Sequence, residues 1–341
     1  MKTGMMKKAV ILGERRAELV EVPGLRPKED WVVVRVQAAP MCTEYKRFLT
    51  GQKTDYLGHE ATGEIVAVAQ PGRVKEGDRV VVMPGYPCGR CSLCIAGEYA
   101  YCENKYNFAK FIGTLEGSAT MAQYLLKPSW LLTLIPDGVS YEYASLAICT
   151  LGPTFGAFEL MDVGPFDTVL ITGAGPVGLG GIVNARFRGA RVIVAEFHPW
   201  RVKKAKELGA EVAIDPRSDD CLEQIKALTG GIGVDKAVDC SGTVAAHRLC
   251  IEAVRCKGQI AFVGECWEKT PLRISPDMIQ KGLTLYGSWH YNLSHFPKVM
   301  KVIQDWPLID RLISHIFPLS EIQEAFQMSA SHDCAKIILK P

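Results

Sequence analysis

Residues 168–178 constrain this chain more than any other stretch. Thr168-Val169-Leu170-Ile171-Thr172 is apolar and β-branched, Gly173-Ala174-Gly175-Pro176-Val177-Gly178 follows at once, and residues 179–188 have helical spacing with small side chains. Such a run reads as strand, tight turn and helix. Gly173 permits the sharp turn, Gly175 lets backbone approach a pyrophosphate, and Gly178 allows helix and strand to pack closely. The helix N-terminus then offers free N–H groups to anionic oxygens. A second apolar run, residues 191–195, ends in Glu196, eighteen residues after Gly178. A carboxylate at that place grips a ribose 2′-OH. The expectation is a dinucleotide site built on Gly173, Gly175, Pro176, Val177, Gly178 and Glu196; the plainer alternative is a tight βα turn with no ligand.

The alternation continues downstream. Apolar runs at 192–195, 211–214, 234–239, 259–263 and 283–288 join the first strand, with helices from Pro199 to Gly209, up to Leu228, and over 243–256. Six strands with interposed helices predict a doubly wound parallel sheet, an α/β domain over 151–288. The first 135 residues differ. Short runs at 9–22, 31–38, 63–69 and 79–83, broken by Pro23-Gly24, Gln70-Pro71-Gly72 and Glu76-Gly77-Asp78, predict a β-rich domain over 1–150. Residues 144–160 read as a helix that bridges the two and carries Cys149. Residues 289–341 return to an alternating style and are assigned back to the first domain.

Charge and composition exclude several classes of function. With 39 basic and 37 acidic residues the net charge is +2, too small to mark a nucleic-acid or membrane-surface partner. No apolar run approaches a membrane span and the start lacks the apolar core of a secretion signal, so a cytoplasmic location is expected. Of twelve cysteines, Cys88, Cys91, Cys94 and Cys102 crowd into one short segment, 86–104. Four thiolates at that spacing can close a tetrahedron round Zn²⁺ and leave no position for substrate, which makes the site structural. An iron–sulfur cluster fits less well, because the last gap is long and no proline follows Cys102. Elsewhere Cys42 follows a strand, and His59 sits in Gly58-His59-Glu60 just before another. Taken singly, each is more often a small buried thiol or a structural imidazole than a metal ligand.

Taken together, these features resemble one family across essentially the whole chain: the zinc-dependent medium-chain alcohol and polyol dehydrogenases, of the sorbitol and threonine dehydrogenase kind. The resemblance rests on Cys42, Gly58-His59-Glu60, Glu76-Gly77-Asp78-Arg79-Val80, the four-cysteine lobe, the glycine turn and Glu196; Gly287-Ser288-Trp289-His290-Tyr291 is similar to the polyol branch. It implies an α/β protein with a β-rich GroES-like catalytic domain and a Rossmann domain. It implies two Zn²⁺ per chain, one structural and one catalytic. The catalytic ion would be held by Cys42, His59 and Cys149 on the bridging helix, with Glu60 as an alternative ligand and an open position for the substrate oxygen.

The implied reaction is reversible oxidation of a secondary alcohol of a polyol, sugar or cyclitol to a ketone, with NAD taking the hydride. Glu196 favours NAD by repelling a 2′-phosphate, while Arg201 and His198 leave NADP open. A ketone or aldehyde reductase and a simple alcohol dehydrogenase are the enzyme alternatives, and a nucleic-acid-binding zinc lobe is the alternative outside enzymes. The implied partners are a small-molecule alcohol or ketone and copies of the same chain, as homodimer or homotetramer. One departure stands out. Where the family carries Ser or Thr two residues after the first zinc ligand, and often His five after it, this chain has Glu44 and Arg47. Either Glu44 acts as general base or Thr43 supplies the hydroxyl; Glu44 as extra metal ligand or substrate anchor is the other reading.

Overall fold

Alternating apolar and polar residues put the first part of the chain into strands, and the computed structural model describes residues 4–341. Strands β1 (Met5–Gly13) and β2 (Arg16–Pro23) form an antiparallel hairpin. Strand β3 (Trp31–Pro40) is central: Trp31, Val32, Val33, Val34 and Val36 are all buried, as a strand covered on both faces requires. After the one-turn helix α1 (Tyr45–Thr50) come β4 (Ala61–Ala67), β5 (Arg79–Val82), the short helices α2 (Ser92–Ile95) and α3 (Phe108–Ile112), then β6 (Tyr124–Pro128), β7 (Leu132–Leu134) and α4 (Tyr141–Ser145). Ser140 caps α4 by accepting the Tyr143 N–H.

The second unit opens with α5 (Gly152–Met161). It continues through β8 (Thr168–Thr172), α6 (Pro176–Phe187), β9 (Arg191–Ala195), α7 (Pro199–Glu207), β10 (Val212–Ile214) and α8 (Cys221–Ala227). Strand β11 (Val234–Asp239), α9 (Val244–Ala253), β12 (Val254–Phe262) and β13 (Thr284–Gly287) complete it. All six strands are parallel, in the order β10-β9-β8-β11-β12-β13. The order reverses between β8 and β11, and ligands of such sheets bind outside the carboxyl ends of the strands at that switch. The chain then returns to the first unit with α10 (Phe296–Asp305), β14 (Ile313–Pro318), α11 (Ile322–Ser331) and β15 (Lys336–Lys340). Strand β15 pairs with β3 and β14, so the tail completes a seven-stranded sheet.

Several boundaries differ from the sequence expectation. The first unit contains residues up to Ile148, Asn292–Gln304 and Ile313–Pro341; the second contains Cys149–Tyr291 and Asp305–Leu312. The chain therefore crosses at Cys149 and Asn292, and a short segment of the tail belongs to the second unit. The bridging helix is not continuous: α4 ends at Ser145, residues 146–151 are turns, and α5 starts afresh with Pro153 in its first turn. Proline has no N–H to donate back into a preceding turn, so the helix restarts there. Cys149 lies in the turn, not on a helix. The tail holds two helices where alternation was expected. In α10 the buried Phe296, Val299, Met300 and Ile303 recur at three- and four-residue spacing, a helical stripe hidden among β-branched residues. Among the described residues no helix is long and apolar enough to cross a membrane.

The four-cysteine segment rests on an aromatic cluster. Trp31 stacks on Tyr86 at 5.6 Å and meets Phe108 edge-on at 5.6 Å. Into this cluster runs Lys127, buried, with Nζ donating to the Gly85 carbonyl at 2.5 Å and lying 4.4 Å from the Tyr86 ring centre. Burial pushes its ammonium down from 10.5 to about 7. Below that value the fold carries a buried charge; between it and the unfolded value the unfolded chain binds more protons, so stability rises with pH. Lys127→Met should therefore stabilise the protein most near pH ~6, with the gain over wild type shrinking toward pH ~9. Thermal midpoints of the two proteins across that range check it; a gap that does not change with pH would contradict it.

Candidate active site

Strand β3 delivers Cys42 and the approach to β4 delivers His59 and Glu60. The Met41 N–H donates to the Ile337 carbonyl at 2.9 Å, which fixes the exit of β3 against β15. Glu44 then folds back on both neighbours: one carboxylate oxygen accepts the Cys42 N–H at 2.8 Å, and the other lies 2.9 Å from His59 Nδ1. A histidine whose Nδ1–H is spent on a carboxylate presents Nε2 as a lone-pair donor with its ring orientation set. Glu60 is fully buried and pairs with buried Lys336, Nζ to Oε1 at 2.6 Å, while His59 Nε2 lies 3.8 Å from the same oxygen. Cys149 is joined by one peptide bond to Ile148, the last residue of the first unit before the crossing. One ligand atom from each of Cys42, His59, Glu60 and Cys149 lies within 4.8 Å of all the others.

The electrostatics of this group are those of a site that wants a cation. Burial disfavours the charged form of His59, yet hydrogen bonds and charge from Cys42 and Glu44 outweigh it and raise the imidazole to about 11. Burial likewise works against ionised Glu44, but the hydrogen bond and charge of His59, with backbone N–H groups, bring it down to about 2. Glu60 moves the other way, up to about 7, because burial dominates over the attraction of Lys336. In the bare protein, protons neutralise what thiolates and carboxylates would otherwise leave unbalanced. Two sulfurs, an imidazole and a carboxylate are the donors that Zn²⁺ accepts.

Cys88, Cys91, Cys94 and Cys102 form a second group within 4.8 Å. Their sulfurs stand 3.4 Å (Cys91–Cys94), 3.9 Å (Cys91–Cys102) and 4.0 Å (Cys88–Cys94) apart. A tetrahedron with Zn–S of about 2.3 Å has edges of about 3.8 Å, whereas a disulfide needs about 2.05 Å. The Cys88 thiol is lowered to about 6, chiefly by a backbone N–H in the Cys88–Cys91 loop, while burial and the neighbouring thiols push Cys94 up to about 12. One thiolate forms readily and the next is resisted, so full ionisation needs a dication.

In the second unit β8 runs into Gly173, Gly175 is the N-cap of α6 and Pro176 occupies its first turn with Val177. A Cβ on Gly178 would sit 1.9 Å from the Gly173 carbonyl oxygen, so only glycine lets the helix start this close to the turn. A Cβ on Gly175 would meet nothing within 4 Å, which leaves the helix N-terminus open to an anion. Glu196, at the end of β9, accepts the Ala174 N–H at 2.8 Å and those of Phe197 and His198 at 2.8 and 2.9 Å. Arg201 stands in the first turn of α7.

Four residues at these sites carry no motif of their own. Lys336 balances Glu60. Asn292 donates from Nδ2 to the Ala96 carbonyl at 2.7 Å and to Glu98 at 2.8 Å, which ties the four-cysteine lobe to the returning chain. Asp239 is fully buried at the end of β11 and accepts from Thr172 Oγ1 (2.8 Å), Ser241 Oγ (2.9 Å) and the Gly242 N–H (3.1 Å), shaping the loop beside Gly173. Asn184 lies inside α6 with both amide hydrogens engaged. Only Asp239, a charge closing an apolar strand run, gave a signal that sequence reasoning could have weighed.

Comparison with known proteins agrees with this arrangement. Residues 28–137 match the alcohol dehydrogenase GroES-like domain and residues 176–305 the zinc-binding dehydrogenase family. Sorbitol dehydrogenase of Bacillus subtilis is 31% identical over 98% of this chain and 97% of its own. L-threonine 3-dehydrogenase of Pyrococcus horikoshii is 30% identical over 94% of each. Among solved structures, alcohol dehydrogenase TADH from Thermus sp. ATN1 superposes with a TM-score of 0.89 at 26% identity, over 98% of this chain and 100% of that one. Identity to dehydrogenases over nearly the whole chain, two family domains in order, a Cys-His-Glu-Cys group and a parallel sheet with a glycine turn lead to one conclusion: this chain belongs to the zinc-dependent medium-chain alcohol and polyol dehydrogenases, enzymes that imply zinc and a nicotinamide cofactor.

Proposed function

We propose that this protein reversibly oxidises a secondary alcohol of a polyol, sugar or cyclitol to the ketone, with NAD as hydride acceptor and two zinc ions per chain. The observation that carries the reading is the convergence of Cys42, His59, Glu60 and Cys149 on a single point. Zinc held by Cys42, His59 and Cys149 supplies Lewis acidity toward a substrate oxygen, and the nicotinamide supplies the hydride acceptor. Glu44 fixes the His59 tautomer, and the exposed Thr43 hydroxyl lies next to Cys42 as a proton outlet to solvent. Glu60, held by Lys336, is the alternative metal ligand. Glu196 accepts the ribose hydroxyls and disfavours a 2′-phosphate, with Arg201 the residue through which NADP would be tolerated. The polyol class is supported by relatives named sorbitol dehydrogenase and D-arabitol-phosphate dehydrogenase. Thiolate lobes persist in a reducing compartment, which supports a cytoplasmic location.

The same reading includes a homo-oligomer, dimer or tetramer. Strand β13 ends its sheet, and the segment between β12 and β13 exposes Trp267, Ile274 and Ile279 at 96, 59 and 71%. A second copy of the chain would cover them. Light scattering should give a multiple of the chain mass, and Trp267→Glu should shift it toward the monomer; a monomeric wild type would refute this part.

Assay of polyols, amino alcohols and simple alcohols with NAD⁺ and NADP⁺ should give the highest kcat/KM for a polyol with NAD⁺, and metal analysis two zinc atoms per chain. Turnover confined to simple alcohols or to NADP⁺ would overturn the substrate or cofactor assignment. Glu44 is tested by a pair of variants. Glu44→Gln still accepts the His59 Nδ1–H and should keep most turnover, whereas Glu44→Leu should lower affinity for the catalytic zinc by about 10–100-fold. Loss of turnover and of one limb of the pH profile in Glu44→Gln, with zinc retained in both, would instead make Glu44 the general base.

A further inference from the structure

Helix α6 serves the dinucleotide turn at its N-terminus, and four to eight residues further on it touches something else. A Cβ on Gly180 would lie 1.9 Å from the Thr150 carbonyl oxygen, so the helix backbone rides directly on the residue after Cys149. One turn later Asn184, fully buried, donates from Nδ2 to the Leu151 carbonyl at 2.8 Å and to Thr154 Oγ1 at 2.9 Å. The Leu151 carbonyl also receives the Phe155 N–H at 2.8 Å and the Thr154 hydroxyl at 3.2 Å. Because that carbonyl can only accept, the amide nitrogen must face it. The amide oxygen, Oδ1, is buried with no hydrogen-bond partner.

A buried amide with an unmet acceptor is destabilising, and an aliphatic side chain of the same size would avoid that. What asparagine adds at this place is direction: one donor on the Leu151 carbonyl, which ends the turn that carries Cys149, and one on Thr154 in the first turn of α5. We infer that Asn184 and Gly180 are positioning residues that set the place of Cys149 as the third metal ligand; this rests on the proposed reading of Cys149 as a ligand. The α6 N-terminus that faces the pyrophosphate lies ~8 Å from Gly180 and ~14 Å from Asn184 along one rigid helix. The dinucleotide turn and the turn that carries Cys149 thus both pack against α6.

The test uses the full-length protein carrying cobalt(II) in place of zinc, because thiolate-to-cobalt absorption reports cysteine ligation without turnover. Cys149→Ala identifies the part of the spectrum that belongs to Cys149. Asn184→Leu should move the spectrum toward that of Cys149→Ala and weaken the catalytic-site metal about 10-fold or more in chelator competition, as loss of an outer-shell partner does. The metal of the four-cysteine lobe and the thermal midpoint should be retained. Wild-type spectrum and metal affinity in Asn184→Leu would overturn the inference while leaving Cys149 a ligand. An unchanged spectrum in Cys149→Ala would overturn the ligand reading and the inference with it. Should Asn184→Leu fail to fold, Asn184→Ala loses the same donors without adding bulk and carries the same two outcomes.

Discussion

A carboxylate on the far nitrogen of an imidazole decides what the near nitrogen can do, and the bond from His59 Nδ1 to Glu44 is the contact on which the first unit's chemistry depends. Without it His59 could turn or take either tautomer. With it, the ring is oriented and Nε2 points at the group formed by Cys42, Glu60 and Cys149. The cost is electrostatic. Two thiolates, Glu44 and Glu60 would place four negative charges together against the ammonium of Lys336. A dication changes that balance by two, so the polar network is complete only with a metal, and metal uptake has to expel the proton that His59 otherwise holds.

The four-cysteine lobe solves the same problem without an open position. Its sulfurs already stand at tetrahedral spacing, and backbone N–H groups of Cys88 and Cys91 point at sulfur at 3.3 and 3.4 Å. The lobe is fixed at its base by the rings around Trp31 and at its tip by Asn292, whose Oδ1 would lie 2.3 Å from a Cβ on Gly97. Asn292 is the first residue after the chain leaves the second unit. The four-cysteine loop therefore also anchors the point of return, a structural role beyond the stability of the loop itself.

Much of this was legible because its signals are local. The βα turn, the acid Glu196 and the cysteine spacing each span a few residues, and the strand runs of the parallel sheet are nearly continuous apolar segments that need no partner to be read. The misreadings are equally physical. Residues 144–160 have helical composition throughout, but Pro153 resets the backbone and leaves Cys149 in a turn. Residues 289–341 read as alternating, while in α10 the stripe from Phe296 to Ile303 is the stronger pattern. Lys336 meets Glu60 across 276 residues and Asn292 meets Ala96 across 196, and nothing in either neighbourhood announces the pairing. Glu44 was visible as a departure from a pattern, but its acceptor role toward His59 depends on how the loop after β3 folds back.

Helix α6 shows how tertiary packing overrides local preference. Gly178, Gly180 and Gly181 each cost about 1 kcal/mol of helix propensity relative to alanine, so the isolated segment is a poor helix. Leu179, Ile182 and Val183 are fully buried and repay that loss only inside the assembled sheet. At Gly178 and Gly180 a backbone carbonyl, of Gly173 and of Thr150, occupies the space where a side chain would stand, and at Gly181 the Thr154 methyl lies 3.1 Å from where a Cβ would be. In the folded unit α6 therefore packs closely against both the turn after β8 and the residues that follow Cys149.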